Sequence, residues 1–257
     1  MSNIDKTAII DPKAIIGKDV TIGPYTVIGE DVVIGDGSFI HAQVNIEKWT
    51  TIGKNCTIYP FASIGSAPQD LKYKGEKTFV EIGDNTTIRE CVTINRSTGT
   101  GSKTIVGDNC LLMAYSHIAH DCIVENNVII ANSGTLAGHV TIEEGVIIGG
   151  LTAIHQFCVI GKMSLLGGCS KIVKDIAPFT ITDGHPAVPK GINLVGLQRK
   201  NFSEETISNL KHAFKILFKQ GLNTSNALHK IEKEIPLCDE IKHLVNFIKS
   251  SKRGISK

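Results

Sequence analysis

Aliphatic residues recur at every sixth position through the first two thirds of the chain. The series is unbroken from Ile4 to Ile64, where eleven successive positions are all isoleucine. It resumes at Ile82 and then runs in the same phase from Val106 to Ile172. A period of six fits neither the 3.6-residue repeat of an α-helix nor the two-residue alternation of a strand in an open sheet. The pattern therefore predicts short strands, separated by turns, that wind around a prism.

Polar residues break this series at two places. Asp70 and Glu76 fall in the first break, and Thr100 falls in the second. Because a charged or hydroxyl-bearing side chain is a poor occupant of a buried strand position, each break predicts a segment that leaves the prism. We expect these two excursions near residues 66–81 and 95–105.

The positions around each aliphatic residue also follow a rule. The next residue is often glycine, which predicts a tight turn with unusual backbone dihedral angles. The residue four places after the aliphatic one is small or β-branched, and four cysteines share that slot: Cys56, Cys110, Cys122 and Cys158. We interpret these cysteines as small buried hydrophobic residues rather than as nucleophiles.

The six-residue pattern ends near Pro178, and helical spacing of apolar residues follows further on. Ser203 is a predicted N-cap, because two glutamates occupy the first turn that would follow it. Three helices are predicted: one stopped by Gly221, one ending before Pro236, and one ending near Ser250. They would close the last apolar coil of the solenoid.

Charge and composition narrow the function classes. Lys and Arg number 27 against 25 for Asp and Glu, so the formal net charge of +2 gives no electrostatic case for nucleic acid or an anionic membrane surface. The sequence has no run of 18 apolar residues and no basic-then-apolar leader pattern, so we expect an unexported protein without an integral membrane segment. Seven cysteines without CxxC pairs are expected to be reduced thiols in the cytoplasm.

Histidines provide the candidate chemistry. Four of the nine lie close together in the sequence, at His117, His120, His139 and His155. With eighteen residues per three-strand coil, Ile118, Leu136 and Ile154 would stack one above another, and the histidines would line one edge of the prism. Imidazole titrates near neutral pH, so a cluster of histidines is a plausible general-base site.

Several local strings are more specific than the repeat. They are QDLKYKGE at 69–76, HIAHDC at 117–122, LAGHV at 136–140, GGLTAIHQFCVIG at 149–161 and GINLVGLQRKNFS at 191–203. Together they resemble the UDP-N-acetylglucosamine acyltransferases, a family of hexapeptide-repeat enzymes, along essentially the whole chain. The resemblance implies a mainly β protein: a left-handed parallel β-helix over residues 1–178, a linker over 179–202 and a C-terminal α-helical domain over 203–257.

The same resemblance implies an activity. Members of the family transfer a 3-hydroxyacyl chain from acyl-carrier protein to the 3-hydroxyl of UDP-N-acetylglucosamine, which is the first step of lipid A biosynthesis. They are homotrimers. No metal and no bound cofactor is implied, because the phosphopantetheine group is carried by the acyl-ACP donor.

The resemblance also assigns residues. His120 would be the general base, Asp121 would orient it, and the backbone N–H of Gly138 would bind the oxyanion. Contacts to the sugar, the diphosphate or the acyl chain would come from His117, His139, His155 and Gln156. Further substrate contacts would come from Gln69, Asp70 and Lys72 on the first excursion.

Nucleotide binding would fall to Asn193, Arg199 and Lys200. The chain departs from the family here, because Val195 replaces a common glutamate and Lys200 a common arginine. Gly168 matches the position that limits acyl length, and a glycine there favours a long 3-hydroxyacyl donor. Counted in coils of about 4.8 Å, Gly168 would lie roughly 10 to 13 Å from His120 along the prism axis.

Three other interpretations are available at this stage. The N-acyltransferase that adds the second acyl chain in lipid A synthesis has a uridine-binding domain before its repeats, whereas here the repeats begin at Ile4. A γ-class carbonic anhydrase uses the same solenoid with three zinc-bound histidines, but the His-x4-His pair is absent. A purely structural solenoid would leave the row of histidines unexplained.

Overall fold

The computed structural model describes residues 2–257, and most of these form a three-sided left-handed parallel β-helix. We name its three sheets faces A, B and C in chain order. Face A contains Asn3–Ile4, Thr21–Ile22, Phe39–Ile40, Thr57–Ile58, Thr87–Ile88, Leu111–Leu112, Ile129–Ile130, Ile147–Ile148 and Leu165–Leu166. Face B contains Ile9–Ile10, Val27–Ile28, Asn45–Ile46, Ser63–Ser66, Thr93–Asn95, His117–Ile118, Thr135–Leu136, Ala153–Ile154 and Lys171–Ile172. Face C contains Ile15–Ile16, Val33–Ile34, Thr50–Ile52, Phe79–Ile82, Lys103–Val106, Ile123–Val124, Thr141–Ile142 and Val159–Ile160.

Each strand pairs in parallel with the strand one coil away. On face B, Ile118 is in register with Leu136, and Leu136 is in register with Ile154. The predicted stacking of these three residues is therefore confirmed. We call the edges between successive faces the AB, BC and CA edges. The two interruptions of the repeat are loops on the BC edge, over residues 67–78 and 96–102.

The core is a column of aliphatic side chains inside the prism. The in-phase aliphatic residues from Ile22 to Ile172 are almost completely buried. Burying an isoleucine contributes about 1.5 to 3 kcal/mol, and each coil adds one such residue from each face. The four cysteines of the small slot are buried too, and burial raises the pKa of Cys122 to about 12 and that of Cys158 to about 11. The prediction that they are small buried residues of the core is confirmed.

The glycines after the aliphatic residues serve a purpose other than the one predicted. Apart from Gly65, they have ordinary negative φ, and the left-handed residues lie two places later, as at Asn55 and Asn85. A Cβ on Gly35 would lie only 2.6 Å from the carbonyl carbon of Gly53 in the next coil. The expectation of unusual dihedral angles is therefore wrong for these positions. Glycine is required because successive coils approach too closely to fit a side chain.

Residues 179–202, treated above as a linker, contain regular structure. An antiparallel hairpin, Thr180–Gly184 and Ala187–Ile192, extends face A beyond Leu165–Leu166. Its last strand tolerates Pro189 because an edge strand does not need every backbone donor. Helix α1 follows at Leu194–Arg199.

Three further helices close the C-terminal end: α2 at Glu204–Lys219, α3 at Thr224–Glu234 and α4 at Asp239–Ser250. Ser203 caps α2 by accepting a hydrogen bond from the Thr206 N–H, as predicted. Their apolar sides pack on Phe179 and Met163. Among residues 2–257 the opposite end has no such cover, and Ile4, the first residue of the inward-facing series, is 44% exposed. Within residues 2–257, the helices are too short or too polar to cross a membrane.

Candidate active site

His120 and Asp121 form a hydrogen-bonded pair on the BC edge. The Nδ1 atom of His120 lies 2.7 Å from Oδ2 of Asp121, and each side chain is only 13% exposed. An ionised carboxylate can only accept a hydrogen bond, so the imidazole proton must sit on Nδ1. Nε2 therefore carries the lone pair and can act as a base.

Asp121 is held as an ionised carboxylate by several donors. It accepts hydrogen bonds from the hydroxyl of Ser97, from the hydroxyl of Thr98 at 2.7 Å and from the Thr98 backbone N–H at 3.3 Å. Burial by itself raises the pKa of this carboxyl group. The hydrogen bonds from Ser97, Thr98 and His120 outweigh burial and lower the pKa of Asp121 from 3.8 to about 2.

Gly138 lies against the His120 ring from the next coil. A Cβ built on Gly138 would stand 2.5 Å from Cε1 and 2.6 Å from Nε2 of His120. Only a residue without a side chain lets the imidazole occupy this position. The backbone N–H of Gly138 donates no hydrogen bond to another group within residues 2–257. It is thus free to donate to a ligand.

Two more predicted residues extend this edge by one coil each. Nε2 of His139 lies 3.7 Å from Oδ2 of Asp121, and its ring meets that of His120 edge to face at 5.2 Å. The other face of His139 stacks on Phe157 at 4.7 Å. Further along, His155 is exposed and its Nδ1 lies 3.1 Å from the backbone oxygen of Gln156. Histidines 120, 139 and 155 therefore line a single edge, as predicted.

His117 points outward from face B beside the same edge. Its Nδ1 shares a 2.7 Å hydrogen bond with the hydroxyl of Thr93. Burial, and secondarily the neighbouring charge of His120, lower the pKa of His117. A lowered pKa favours the neutral ring at physiological pH, which suits a hydrogen-bonding contact better than an ion pair.

The first excursion leaves the prism from the BC edge and carries three predicted residues. Gln69 and Lys72 are exposed, and the Lys72 N–H donates to Oδ1 of Asp70 at 2.8 Å. Within residues 2–257, these three residues form no hydrogen bond or ion pair with His120. They share the edge with the histidines and remain available for a ligand.

The nucleotide-binding set lies elsewhere in the chain. Asn193 is buried, where it caps α1 and donates to the backbone oxygen of Met163 at 2.9 Å on the CA edge. Arg199 and Lys200, at the end of α1, are exposed. Asn193 therefore positions α1 rather than presenting its own amide to solvent.

The CA edge itself is acidic. A cleft of about 370 Å³ beside α4 is lined by five carboxylate side chains, including those of Glu143 and Glu144. The pKa of Glu144 is lowered mainly by its hydrogen bond from Lys162, with a smaller effect from the charge of Lys200. Such a cleft disfavours a diphosphate.

Gly168 lies on the third edge, AB, two residues after Leu166 of face A. It is exposed, its φ is ordinary, and a Cβ there would meet only a backbone oxygen at 3.3 Å. A side chain would project outward, but its Cβ would contact the Gly150 oxygen closely enough that the neighbouring coil must shift by a few tenths of an ångström. Within one chain, Gly168 and His120 occupy different edges.

The donor atoms of His120, Asp121 and His139 lie within 4.8 Å of one another, close enough to share a metal ion. The carboxylate of Asp121 already accepts hydrogen bonds from Ser97, Thr98 and His120. This arrangement suits the positioning of a base better than ligation of a cation. The prediction of a metal-independent site stays a prediction.

Sequence reasoning missed three residues of this site. Ser97 and Thr98 bind Asp121 from the second excursion, and Phe157 stacks on His139. Phe157 could have been found, because it follows Ile154 by three places, as His139 follows Leu136. Ser97 and Thr98 could not have been found, because the six-residue repeat does not determine the path of a loop that leaves the prism.

Comparisons with known proteins identify the family. A family model described as Udp N-acetylglucosamine O-acyltransferase, Domain 2, matches residues 175–256, and a bacterial transferase hexapeptide model matches residues 31–66 and 103–138. The chain is 53% identical to the acyl-[acyl-carrier-protein]–UDP-N-acetylglucosamine O-acyltransferase of Thermodesulfovibrio yellowstonii, with all of both chains covered. It is 47% identical to that of Aliarcobacter butzleri, covering 99% of this chain and 98% of the relative.

Solved structures agree as well. The crystal structure of a UDP-N-acetylglucosamine acyltransferase from Bacteroides fragilis superposes with a TM-score of 0.97 at 46% identity, covering 98% of this chain and 99% of that one. The acyltransferase from Campylobacter jejuni gives a TM-score of 0.93 at 39% identity, with 99% of each chain covered. With a shared fold, a full-length match and the histidine edge in place, the chain belongs to the family of acyl-ACP-dependent UDP-N-acetylglucosamine O-acyltransferases.

Proposed function

We propose that this enzyme transfers a 3-hydroxyacyl chain from acyl-carrier protein to the 3-hydroxyl of UDP-N-acetylglucosamine, as the first step of lipid A biosynthesis. The observation that carries the proposal is the His120–Asp121 pair, whose free Nε2 lies against Gly138. The names of the relatives supply the two substrates.

In the proposed mechanism, His120 carries one proton from the sugar hydroxyl to the leaving sulfur. Nε2 takes the proton from the sugar 3-hydroxyl as that oxygen attacks the thioester carbonyl carbon. The imidazolium that forms is stabilised by the ionised carboxylate of Asp121. When the tetrahedral intermediate collapses, the C–S bond breaks and His120 gives this proton to the leaving thiolate sulfur. The products are the O-acyl sugar nucleotide and the free thiol of acyl-carrier protein.

Gly138 contributes at the tetrahedral stage. Negative charge develops on the former carbonyl oxygen, and a backbone N–H aimed at that position stabilises it. The Gly138 N–H is uncommitted, and the residue lies against the His120 ring, which supports this role. The protein then needs no cofactor of its own, because the phosphopantetheine arrives with the acyl-ACP donor. Seven free cysteines are in keeping with a reducing, cytoplasmic setting.

The proposed site residues lie on three different edges of one chain, which supports a homotrimer. The histidines are on the BC edge, whereas Arg199 and Gly168 flank face A near the CA and AB edges. In the coils that contain the histidines, face A has four outward-facing aliphatic side chains: Leu111, Ile129, Ile147 and Leu165. We propose that the BC edge of one subunit faces face A of the next in a threefold ring. His117, His139, His155 and Gln156, with Gln69, Asp70 and Lys72, would then meet Arg199 and Lys200 of the neighbour across one cleft.

Mixed trimers test this shared site. His120→Ala and Arg199→Ala chains should each be strongly impaired alone, because each damages every site. Co-expressed at equal amounts, they should regain about a quarter of wild-type activity, because that share of the subunit contacts would combine two intact halves. The measurement is turnover of the co-purified mixture at limiting UDP-sugar. Failure to recover activity in a trimer of proven mixed composition would place the site within one subunit.

Gly168 would set the length of the acyl chain. Gly168→Met should fill the far end of the groove and shift preference toward shorter 3-hydroxyacyl donors, because each methylene excluded from burial forfeits about 0.8 kcal/mol. The check is kcat/KM across a series of 3-hydroxyacyl-ACPs, with the rate on short donors largely retained. Equal loss on all chain lengths would show that position 168 affects the fold or the chemistry instead.

The reaction itself is tested by product analysis. Purified enzyme is incubated with UDP-N-acetylglucosamine and a set of 3-hydroxyacyl-ACPs, and the product mass is measured. One added 3-hydroxyacyl group, released by mild alkali as expected for an ester, supports the proposal. An alkali-stable amide product, or no product with any donor, would overturn it.

A further inference from the structure

The second excursion touches the candidate base through Asp121. The hydroxyl of Ser97 donates to Oδ1 of Asp121, and the hydroxyl of Thr98 donates to Oδ2 at 2.7 Å. The Thr98 backbone N–H lies 3.3 Å from both carboxylate oxygens. Every donor except His120 therefore comes from two adjacent residues of one loop.

These donors determine whether the carboxyl group of Asp121 is ionised or protonated. Burial alone favours the neutral carboxylic acid. A neutral acid could donate its own proton to Nδ1 of His120, which would place the imidazole proton on Nε2 and remove the lone pair that the base needs. Hydroxyl donors stabilise the ionised carboxylate more strongly than the neutral acid, so they favour ionised Asp121 and the imidazole proton on Nδ1.

The loop that carries the two hydroxyls is itself anchored. The side chain of Asn95 donates to the backbone oxygen of Ala67 at 3.0 Å, and Arg96 donates to that of Gly65 at 2.7 Å. Arg96 also donates to the hydroxyl of Tyr73 at 3.1 Å, and its side chain is 7% exposed. The stem of the first excursion thus fixes the place from which Ser97 and Thr98 reach Asp121.

We propose that Ser97 and Thr98 are positioning residues for the general base, holding Asp121 as the acceptor that keeps the Nε2 lone pair of His120 available. The proposal rests on the proposed function, in which His120 takes the proton from the sugar hydroxyl. It assigns the second excursion a part in the chemical step that its surface position does not suggest.

The test is a double-mutant cycle on the full-length enzyme. Ser97→Ala with Thr98→Val should lower kcat about tenfold to a hundredfold, as expected when a base loses its orientation, and should change KM for UDP-N-acetylglucosamine by less than about twofold. The same pair introduced into an Asp121→Ala enzyme should change the residual rate by less than about threefold, because the group through which they act is gone. Residual rates are read as product accumulated at high enzyme concentration.

Two matched variants separate positioning from folding. Thr98→Ser keeps a hydroxyl donor and should retain kcat within about threefold. Thr86→Val removes a hydroxyl that is as buried as that of Ser97 and lies away from the site, where it donates to the backbone oxygen of Gly107 at 2.8 Å, and this change should leave kcat unchanged. Thermal unfolding of each variant shows whether it folds.

Equal losses in the wild-type and Asp121→Ala backgrounds would overturn the proposal, as would unchanged kcat in a folded double variant. If the double variant does not fold, the comparison of Thr98→Val with Thr98→Ser decides alone, and equal kcat values would refute the proposal. Failure of the proposed function is a different result, because the wild-type enzyme would then form no O-acyl product.

Discussion

Replacing His120 with alanine is expected to lower kcat by about a hundredfold or more, because a positioned general base contributes roughly that factor. The base acts on the attacking hydroxyl and holds neither substrate, so KM should change little. Thermal stability should fall only slightly, since His120 lies on an edge outside the aliphatic column. The measurement is steady-state kinetics at saturating acyl-ACP with varied UDP-N-acetylglucosamine.

A matched control is His41→Ala. His41 stacks on Tyr59 at 4.5 Å on the AB edge, away from the candidate base. Its removal therefore shows how much kcat changes when a packed histidine without a catalytic role is lost. That variant should keep wild-type kcat. If His120→Ala retained more than about a tenth of wild-type kcat, the assignment of the base would be wrong.

Adding a single methyl group at Gly138 is expected to have nearly as large an effect. The Cβ of Gly138→Ala would overlap Cε1 and Nε2 of His120, so the ring must swing away. The ring is the free end of a side chain, so the cost to folding is small. The cost to catalysis is about a hundredfold in kcat, since a misplacement of about 1 Å can have that effect.

This variant separates two roles of Gly138. Alanine keeps the backbone N–H, so if binding the oxyanion were the residue's whole contribution, kcat would be nearly unchanged. If the ring needs the space, the Gly138→Ala loss should largely vanish once His120 is already alanine. Gly191→Ala is the control, because a Cβ there has no neighbour within 4 Å.

The sequence was a good guide wherever function follows the repeat. A constant eighteen residues per coil places Ile118, Leu136 and Ile154 in register, so the edge occupied by His120 and His139 could be predicted by counting. The C-terminal helices were equally readable, because Ser203 and the two glutamates that follow it are local signals of a helix start.

The other features depend on contacts that the period of the repeat does not predict. The glycines that follow the aliphatic residues are required by the short distance between coils. A sequence pattern cannot distinguish this from a requirement for positive φ. The hairpin of residues 180–192 was concealed by its prolines, which an edge strand tolerates. Ser97 and Thr98 lie in an irregular loop, so their contact with Asp121 depends on how Asn95 and Arg96 anchor that loop.

The unequal ends of the solenoid have a consequence for its local stability. Each coil is held only by its neighbours, so partial unfolding should begin where a coil has one neighbour instead of two. The helices cover the C-terminal end, whereas at the N-terminal end Ile4, the first residue of the inward-facing series, is 44% exposed. Amide hydrogen exchange should therefore be fastest in the first coil and slow progressively toward His120. His120 lies in coils that unfolding from the N-terminal end reaches late. The early coils can therefore open locally without disturbing the candidate base.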